Sequence, residues 1–261
     1  MAAISYDSVA LLKEFSERKG ITYPLLSDPE SRIIRAFGIL NDNFPPDHPW
    51  HGVPFPGTYG VNEQGIVLEK YFEEDHRERY TASTILVKHS GQGQDWGWTE
   101  VQTQHLKLRY SSSDTAVRSG NRVALVLEVE LSPRMHVYAP GVRGGYIPIE
   151  WKVSPSPGWL AHSAAYPASR TLHLPAIDET VPVYEGQFRV TRDLTIGQDP
   201  EIKPFLRDNQ QLTVKGSFRY QACDDKVCYP PQTVPLEWTF SVASHDAGRA
   251  PETLQRPQPR P

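Results

Sequence analysis

The sequence predicts a two-domain chain, an α/β segment followed by an antiparallel all-β sandwich. Three observations predict it. A length of 261 residues accommodates two domains. Residues 1–88 alternate short apolar runs with helically spaced segments, whereas from 101 onward the apolar residues recur at period two. Between them, residues 89–100 (HSGQGQDWGWTE) are rich in Gly and polar groups and read as a linker.

The first domain is expected over 1–88. Residues 2–6 form an apolar run that reads as a buried strand. Asp7 and Ser8 can cap a helix through Lys19, with Val9, Leu12 and Phe15 at helical spacing and Gly20 as its stop. A second strand is expected at 21–26. Ser27-Asp28-Pro29-Glu30 reads as a helix start with Pro29 at the first helical position, followed by Ile33, Ile34 and Phe37 and ended by Gly38. After a Pro-rich loop, 53–61 and 66–72 read as strands joined at the turn Asn62-Glu63-Gln64-Gly65. A last helix is expected near 76–89, carrying Tyr80, Ile85 and Leu86. In the linker, Trp96 and Trp98 are expected to pack against a domain rather than form a ligand platform.

The second domain is expected over 101–244. Leu106, Leu108 and Tyr110 alternate, as do Val123, Leu125, Leu127, Val129 and Leu131. Ile147, Ile149, Trp151 and Val153 form another set, Leu172 and Leu174 a shorter one, and Phe188, Val190, Leu194 and Ile196 a fourth. About seven such strands between Pro/Gly/Ser turns argue for a sandwich of immunoglobulin-like shape. Residues 245–261, ending in Arg-Pro-Gln-Pro-Arg-Pro, read as a disordered tail.

The stretch 218–231 (FRYQACDDKVCYPP) holds both cysteines of the chain. Before it, Leu212, Val214, Phe218 and Tyr220 alternate with polar residues; after it, Val234, Leu236, Trp238, Phe240 and Val242 do the same. Two strands folding back on each other place Cys223 opposite Cys228, within reach of a disulfide. Three chemistries compete for the pair. A structural staple would remove only about 2 kcal/mol of unfolded-state entropy from so short a loop. A metal site normally needs four Cys or His ligands, and neither a second Cys pair nor a nearby His is present. Thiol–disulfide exchange suits a short accessible loop. Asp224 and Asp225 disfavour a thiolate and Lys226 favours it, so the residues alone leave staple and exchange open. Tyr220 and Tyr229 flank the pair and are candidate shields.

Composition narrows the rest. There are 27 Lys+Arg against 31 Asp+Glu, a net charge of −4 without long runs, which points to neither a nucleic-acid partner nor an anionic membrane surface. No apolar run approaches the eighteen or so residues that span a bilayer, so membrane insertion is not expected. The start MAAISYD lacks the basic and long apolar stretches of a signal peptide. No Ser-His-Asp set, phosphate-cradling loop or metal-spaced His cluster stands out, and no cofactor or metal is expected.

YQACDDKVCYPP followed by QTVPLEW resembles the cysteine hairpin of the amino-terminal periplasmic domain of the DsbD thiol:disulfide interchange proteins. The resemblance covers roughly 100–244. Four residues separate the cysteines here, one fewer than in the family pattern. It implies an immunoglobulin-like sandwich, exchange through Cys223 and Cys228, and thioredoxin-like or other dithiol/disulfide partners. It also implies an extracytoplasmic location and a separate membrane electron donor. Residues 178–186 (DETVPVYEG) fall where that domain carries a loop capping the cysteines; Tyr184 matches an aromatic there, and Val183 stands where a larger aromatic is expected. Met135-His136-Val137-Tyr138 takes the place of a strand beside the cysteines, making Tyr138 a neighbour and His136 and Glu185 candidates for tuning the thiols.

AAISYDS, ITYPLLSDPESRIIRAFGI and FPGTYGVNEQGIV resemble the peroxiredoxin (AhpC/TSA) branch of the thioredoxin-like fold, over about 1–88. In that family the reactive cysteine precedes everything present here. Residues 1–88 contain no cysteine, and Pro56 stands where the family's arginine is expected before Gly57-Thr58. The resemblance therefore implies a partial thioredoxin-like domain without peroxidase chemistry of its own. The third option, beside exchange and a sandwich interaction module with a structural disulfide, is a fragment of a thiol peroxidase whose catalytic cysteine lies upstream of Met1.

Overall fold

The computed structural model describes residues 1–72, 77–90, 97–174, 178–224, 226–243 and 248–254. They belong to two compact units, one of 1–76 with 246–261, the other of 77–245. Trp96, Asp225 and much of the expected tail lie outside the described residues; within the tail, Glu252–Leu254 is a 3-10 turn.

In the first unit, β1 (Ala3–Ser5), α1 (Val9–Lys19), β2 (Leu25–Ser27), α2 (Arg32–Ala36), β3 (Gly57–Val61) and β4 (Val67–Phe72) follow in order. Ser8 caps α1 by accepting the Leu11 N–H, and Gly20 ends it at φ +62°, a left-handed turn that glycine adopts without a Cβ penalty. The second helix starts three residues later than Pro29 suggests. The Asp28 carboxylate accepts the backbone N–H groups of Arg32 and Ile34, so the turn 28–31 caps the helix instead of joining it. The strands make two separate ladders, β1 parallel to β2 and β3 antiparallel to β4. Contrary to the expectation of a buried first strand, Ile4 is 43% exposed and its register partner Leu26 47%.

The second unit carries β5 (Arg79–Tyr80), α3 (Ala82–Ser90), β6 (Thr99–Gln102), β7 (Leu106–Ser112), β8 (Ala116–Val117), β9 (Asn121–Leu131), β10 (His136–Tyr138) and β11 (Glu150–Val153). After these come β12 (Trp159–Ala165), β13 (Arg170–Leu174), β14 (Glu179–Glu185), β15 (Gln187–Ile196), α4 (Asp199–Ile202), β16 (Leu206–Arg207), β17 (Gln211–Tyr220), β18 (Ala222–Cys223) and β19 (Gln232–Val242). One sheet runs β12-β15-β9-β7-β6 and the other β11-β17-β19-β8. Their facing residues, among them Leu125, Leu127, Val190, Leu194, Phe218, Trp238 and Phe240, form one core. Each fully buried Phe or Leu there contributes about 1.5–3 kcal/mol by leaving water. In β19 the alternation predicted from the sequence is realised residue by residue, with Val234, Leu236, Trp238, Phe240 and Val242 inward.

The helix expected to close the first domain packs on the sandwich instead. Val87 sits against Ala124 and Val126 on the outer face of β9, joined by Trp98, which packs there as expected. The hydroxyl of fully buried Thr84 lies 2.8 Å from Ser113 Oγ and accepts the Ala124 N–H. The Asp114 carboxylate accepts from Thr81 and Ser113 at 2.6 Å each.

A third, four-stranded sheet, β13-β14-β10-β18, carries the cysteines. One of its faces (Val137, Tyr184, Ala222) completes the sandwich core; the other holds Tyr138, Val181, Val183 and Cys223.

Candidate functional site

Ten ladder pairs join β17 to β19, from Gln211↔Ser241 to Tyr220↔Gln232, and the chain between them turns back through the cysteines. Cys223 and Cys228 form a disulfide with Cα atoms 4.0 Å apart. Its two halves differ in environment. Cys223 is 1% exposed, in register with His136 and packed with Tyr138, Val181 and Val183. Cys228 is exposed, beside the exposed Lys226 and Val227. Of the two half-cystines, Cys228 is the one that faces solvent.

Asp224 holds the tip. Its Oδ1 accepts the backbone N–H groups of Lys226 and Val227 at 2.8 Å each, and its Oδ2 accepts the Tyr229 hydroxyl at 3.0 Å. These bonds favour the ionised form, so the carboxyl titrates below its ordinary value, chiefly through the Lys226 and Val227 amides. Tyr229 is correspondingly raised by its bond to Asp224. The residue read from the sequence as a thiolate opponent is thus also the loop's organiser.

Tyr138 brings a polar group to the disulfide. Its hydroxyl lies 3.6 Å from Cys228 Sγ, and burial raises its pKa. The Tyr138 ring meets His136 edge-on at 5.6 Å and Tyr146 at 4.6 Å. Tyr146 in turn donates to Glu179 Oε2 at 2.5 Å; that bond pushes its pKa up to about 12. Val142 and Tyr146 pack over the face that holds Cys223. The Gly-rich turn after β10 thus shares this face with 178–186, which contributes Val181 and Val183.

The remaining sequence-predicted residues divide. His136 is buried beside Cys223 in register, and the same register row places Glu185 on its other side. Glu185 reaches outward to Arg170 at 3.7 Å. Tyr184 is corrected in position: 178–186 is largely the strand β14 rather than a loop, and Tyr184 faces the core. There it stacks on Phe188 at 4.6 Å and donates to the Pro167 carbonyl. Its register partner Val137 shows why, since alternation along β14 turns Val183, not Tyr184, toward the cysteine face. Tyr220 lies beneath the hairpin, fully buried, bonded to Gln232 Oε1 at 2.5 Å and 2.7 Å from Thr103 Oγ1. Tyr229 stays at the tip, its ring 4.2 Å from that of His105. His105 and Tyr146 were missed: both are remote from the cysteines in sequence, and no local pattern marks them. Among the described residues no group of three or more His, Cys, Asp or Glu could hold a metal ion, and no helix is long and apolar enough to cross a membrane.

Comparison with known proteins falls on both units. Residues 107–237 match the family described as thiol:disulfide interchange protein DsbD, N-terminal, and residues 1–70 match the AhpC/TSA family. No curated protein matches the chain. Among solved structures, the N-terminal periplasmic domain of ScsB from Proteus mirabilis is similar at 16% identity and a TM-score of 0.37, covering 57% of this chain and 52% of that one. The DsbD N-terminal domain of Neisseria meningitidis in its reduced form is similar at 16% identity and a TM-score of 0.30, covering 44% and 74%. This chain thus spans about half the length of the ScsB domain.

Proposed function

Because this chain belongs to the family of the N-terminal domain of the thiol:disulfide interchange protein DsbD, we propose that it exchanges disulfides with partner proteins through Cys223 and Cys228. The observation that carries the reading is the asymmetry of the pair, one sulfur in solvent-facing Cys228 and the other in buried Cys223. A partner thiolate attacks Cys228 Sγ, the Cys223–Cys228 bond breaks, and its electron pair leaves on Cys223 Sγ, which takes up a proton. The partner's second thiolate then attacks the mixed disulfide and releases Cys228 as thiolate. One dithiol is oxidised and one disulfide reduced, and the reverse sequence lets the reduced pair donate electrons to an oxidised partner. The Tyr138 hydroxyl donates to the Cys228 thiolate that both directions require.

The partners are thioredoxin-like or other dithiol/disulfide proteins, the compartment is the periplasm or another extracytoplasmic space, and the electrons come from a separate membrane protein. We read the domains as a partial AhpC/TSA-like unit followed by the exchange domain, and the packing of α3 on β9 supports counting that helix with the second. Trapping tests the proposal. Cys223→Ala, which leaves the exposed thiol, is expected to capture partner proteins as mixed disulfides identifiable by mass spectrometry, and Cys228→Ala far fewer. Capture by neither variant would sink the exchange reading and leave a structural staple.

A further inference from the structure

Away from the cysteines, the sandwich holds a cation where its core should be apolar. Along β15 the inward positions are Phe188, Val190, Arg192, Leu194 and Ile196. Arg192 stands in register between Leu125 of β9 and Ala164 of β12, both core-facing. Its guanidinium is partly buried and lies over the Trp151 ring at 5.1 Å, spanning the layers from one sheet to the other. β11, which carries Trp151, and β12 are edge strands of those sheets, so the pair lies at the side of the sandwich.

On each group one buried nitrogen lacks an acceptor. Arg192 Nε is buried without a hydrogen-bond partner, and so is Nε1 of Trp151, a residue 2% exposed. The neighbouring indoles show that this is not general, since Trp159 donates to the Ser154 carbonyl and Trp238 to the Ser111 carbonyl. Tyr166 packs against the same core; burial raises its pKa, and the nearby Arg192 charge opposes that rise. Burial lowers the Arg192 pKa, as expected for a cation held out of water without a counter-charge. The nearby carboxylate, Glu150, faces the other way along β11 and is engaged by Lys152 at 2.9 Å.

Buried donors without acceptors are costly, and a guanidinium fork matches a planar carboxylate. We propose that Arg192 and Trp151 form a receiving site for a small carboxylate, which enters between the β11 and β12 edges. It pairs with the guanidinium and accepts the Trp151 indole N–H. The buried setting limits the ligand to a few atoms near its carboxylate.

Acetate is the probe, read by the Trp151 indole cross-peak in a 15N-tryptophan spectrum of the whole chain, with chloride at equal ionic strength as the control. The expected result is a saturable Trp151 shift with acetate and none with chloride. Arg192→Met is expected to weaken acetate binding at least tenfold, and Arg192→Lys, which keeps charge without the fork, several-fold. Equal, non-saturating responses to acetate and chloride in the unmodified protein would overturn the proposal even if Arg192→Met failed to fold. An unchanged acetate affinity in either folded variant would overturn it as well.

Discussion

The Tyr138 hydroxyl lies 3.6 Å from Sγ of the exposed Cys228, pairing it with a phenol whose pKa burial raises. In the reduced protein we expect the same hydroxyl to stabilise thiolate over thiol. Tyr138→Phe is expected to raise the Cys228 pKa by roughly one unit, the worth of one charge-assisted bond. Iodoacetamide alkylation at pH 7 should slow up to about tenfold in this variant; an unchanged rate-versus-pH curve would remove Tyr138 from the chemistry.

Asp224 ties loop order to pH. Its folded pKa is depressed below 3.8 by the Lys226 and Val227 amides, so the order it confers is present above about pH 4 and is lost as pH falls through the folded value. Hydrogen exchange at those two amides should be protected at neutral pH and lose protection in acid. Asp224→Ala should show the unprotected pattern at every pH.

The turn over Cys223 is pinned by the bond from Tyr146 to Glu179. Tyr146→Phe or Glu179→Gln should loosen it and speed reduction of the disulfide by dithiothreitol several-fold, with little loss of global stability. If both variants are reduced at the unmodified rate, the turn does not guard the bond.

Helix α3 belongs energetically to the sandwich. Val87→Ala, at a position 4% exposed against Ala124 and Val126, should cost about 1–2 kcal/mol in denaturant unfolding. A fragment of 77–245 should melt well above one of 101–245, which lacks Val87, Thr84 and Thr81. Equal melting temperatures would return the helix to the first unit.

Much of this was legible in the residues. Alternation in β17 and β19, with the period-two set from Val123 to Leu131 in β9, gave both the sandwich and the cysteine hairpin, because a buried face writes its period into the sequence. β14 was not legible: Glu179-Thr180-Val181-Pro182-Val183-Tyr184-Glu185 alternates weakly and carries a proline, and its strand character comes from pairing on both sides. Tyr184 was read as a cover for the sulfurs because it is an aromatic near them by resemblance, yet register decides which face a residue serves. Tyr146 and His105 reach the site by long-range packing, for which a single sequence carries no local signal. The α3 boundary was misplaced because a helix's own periodicity does not say which core its apolar face meets.

The reduction potential of the Cys223–Cys228 pair, measured by equilibration in glutathione buffers, tests exchange most directly. The account predicts a value above about −300 mV, within reach of physiological dithiols. A lower value, with the bond staying closed in those buffers, would make the pair a permanent staple and contradict it.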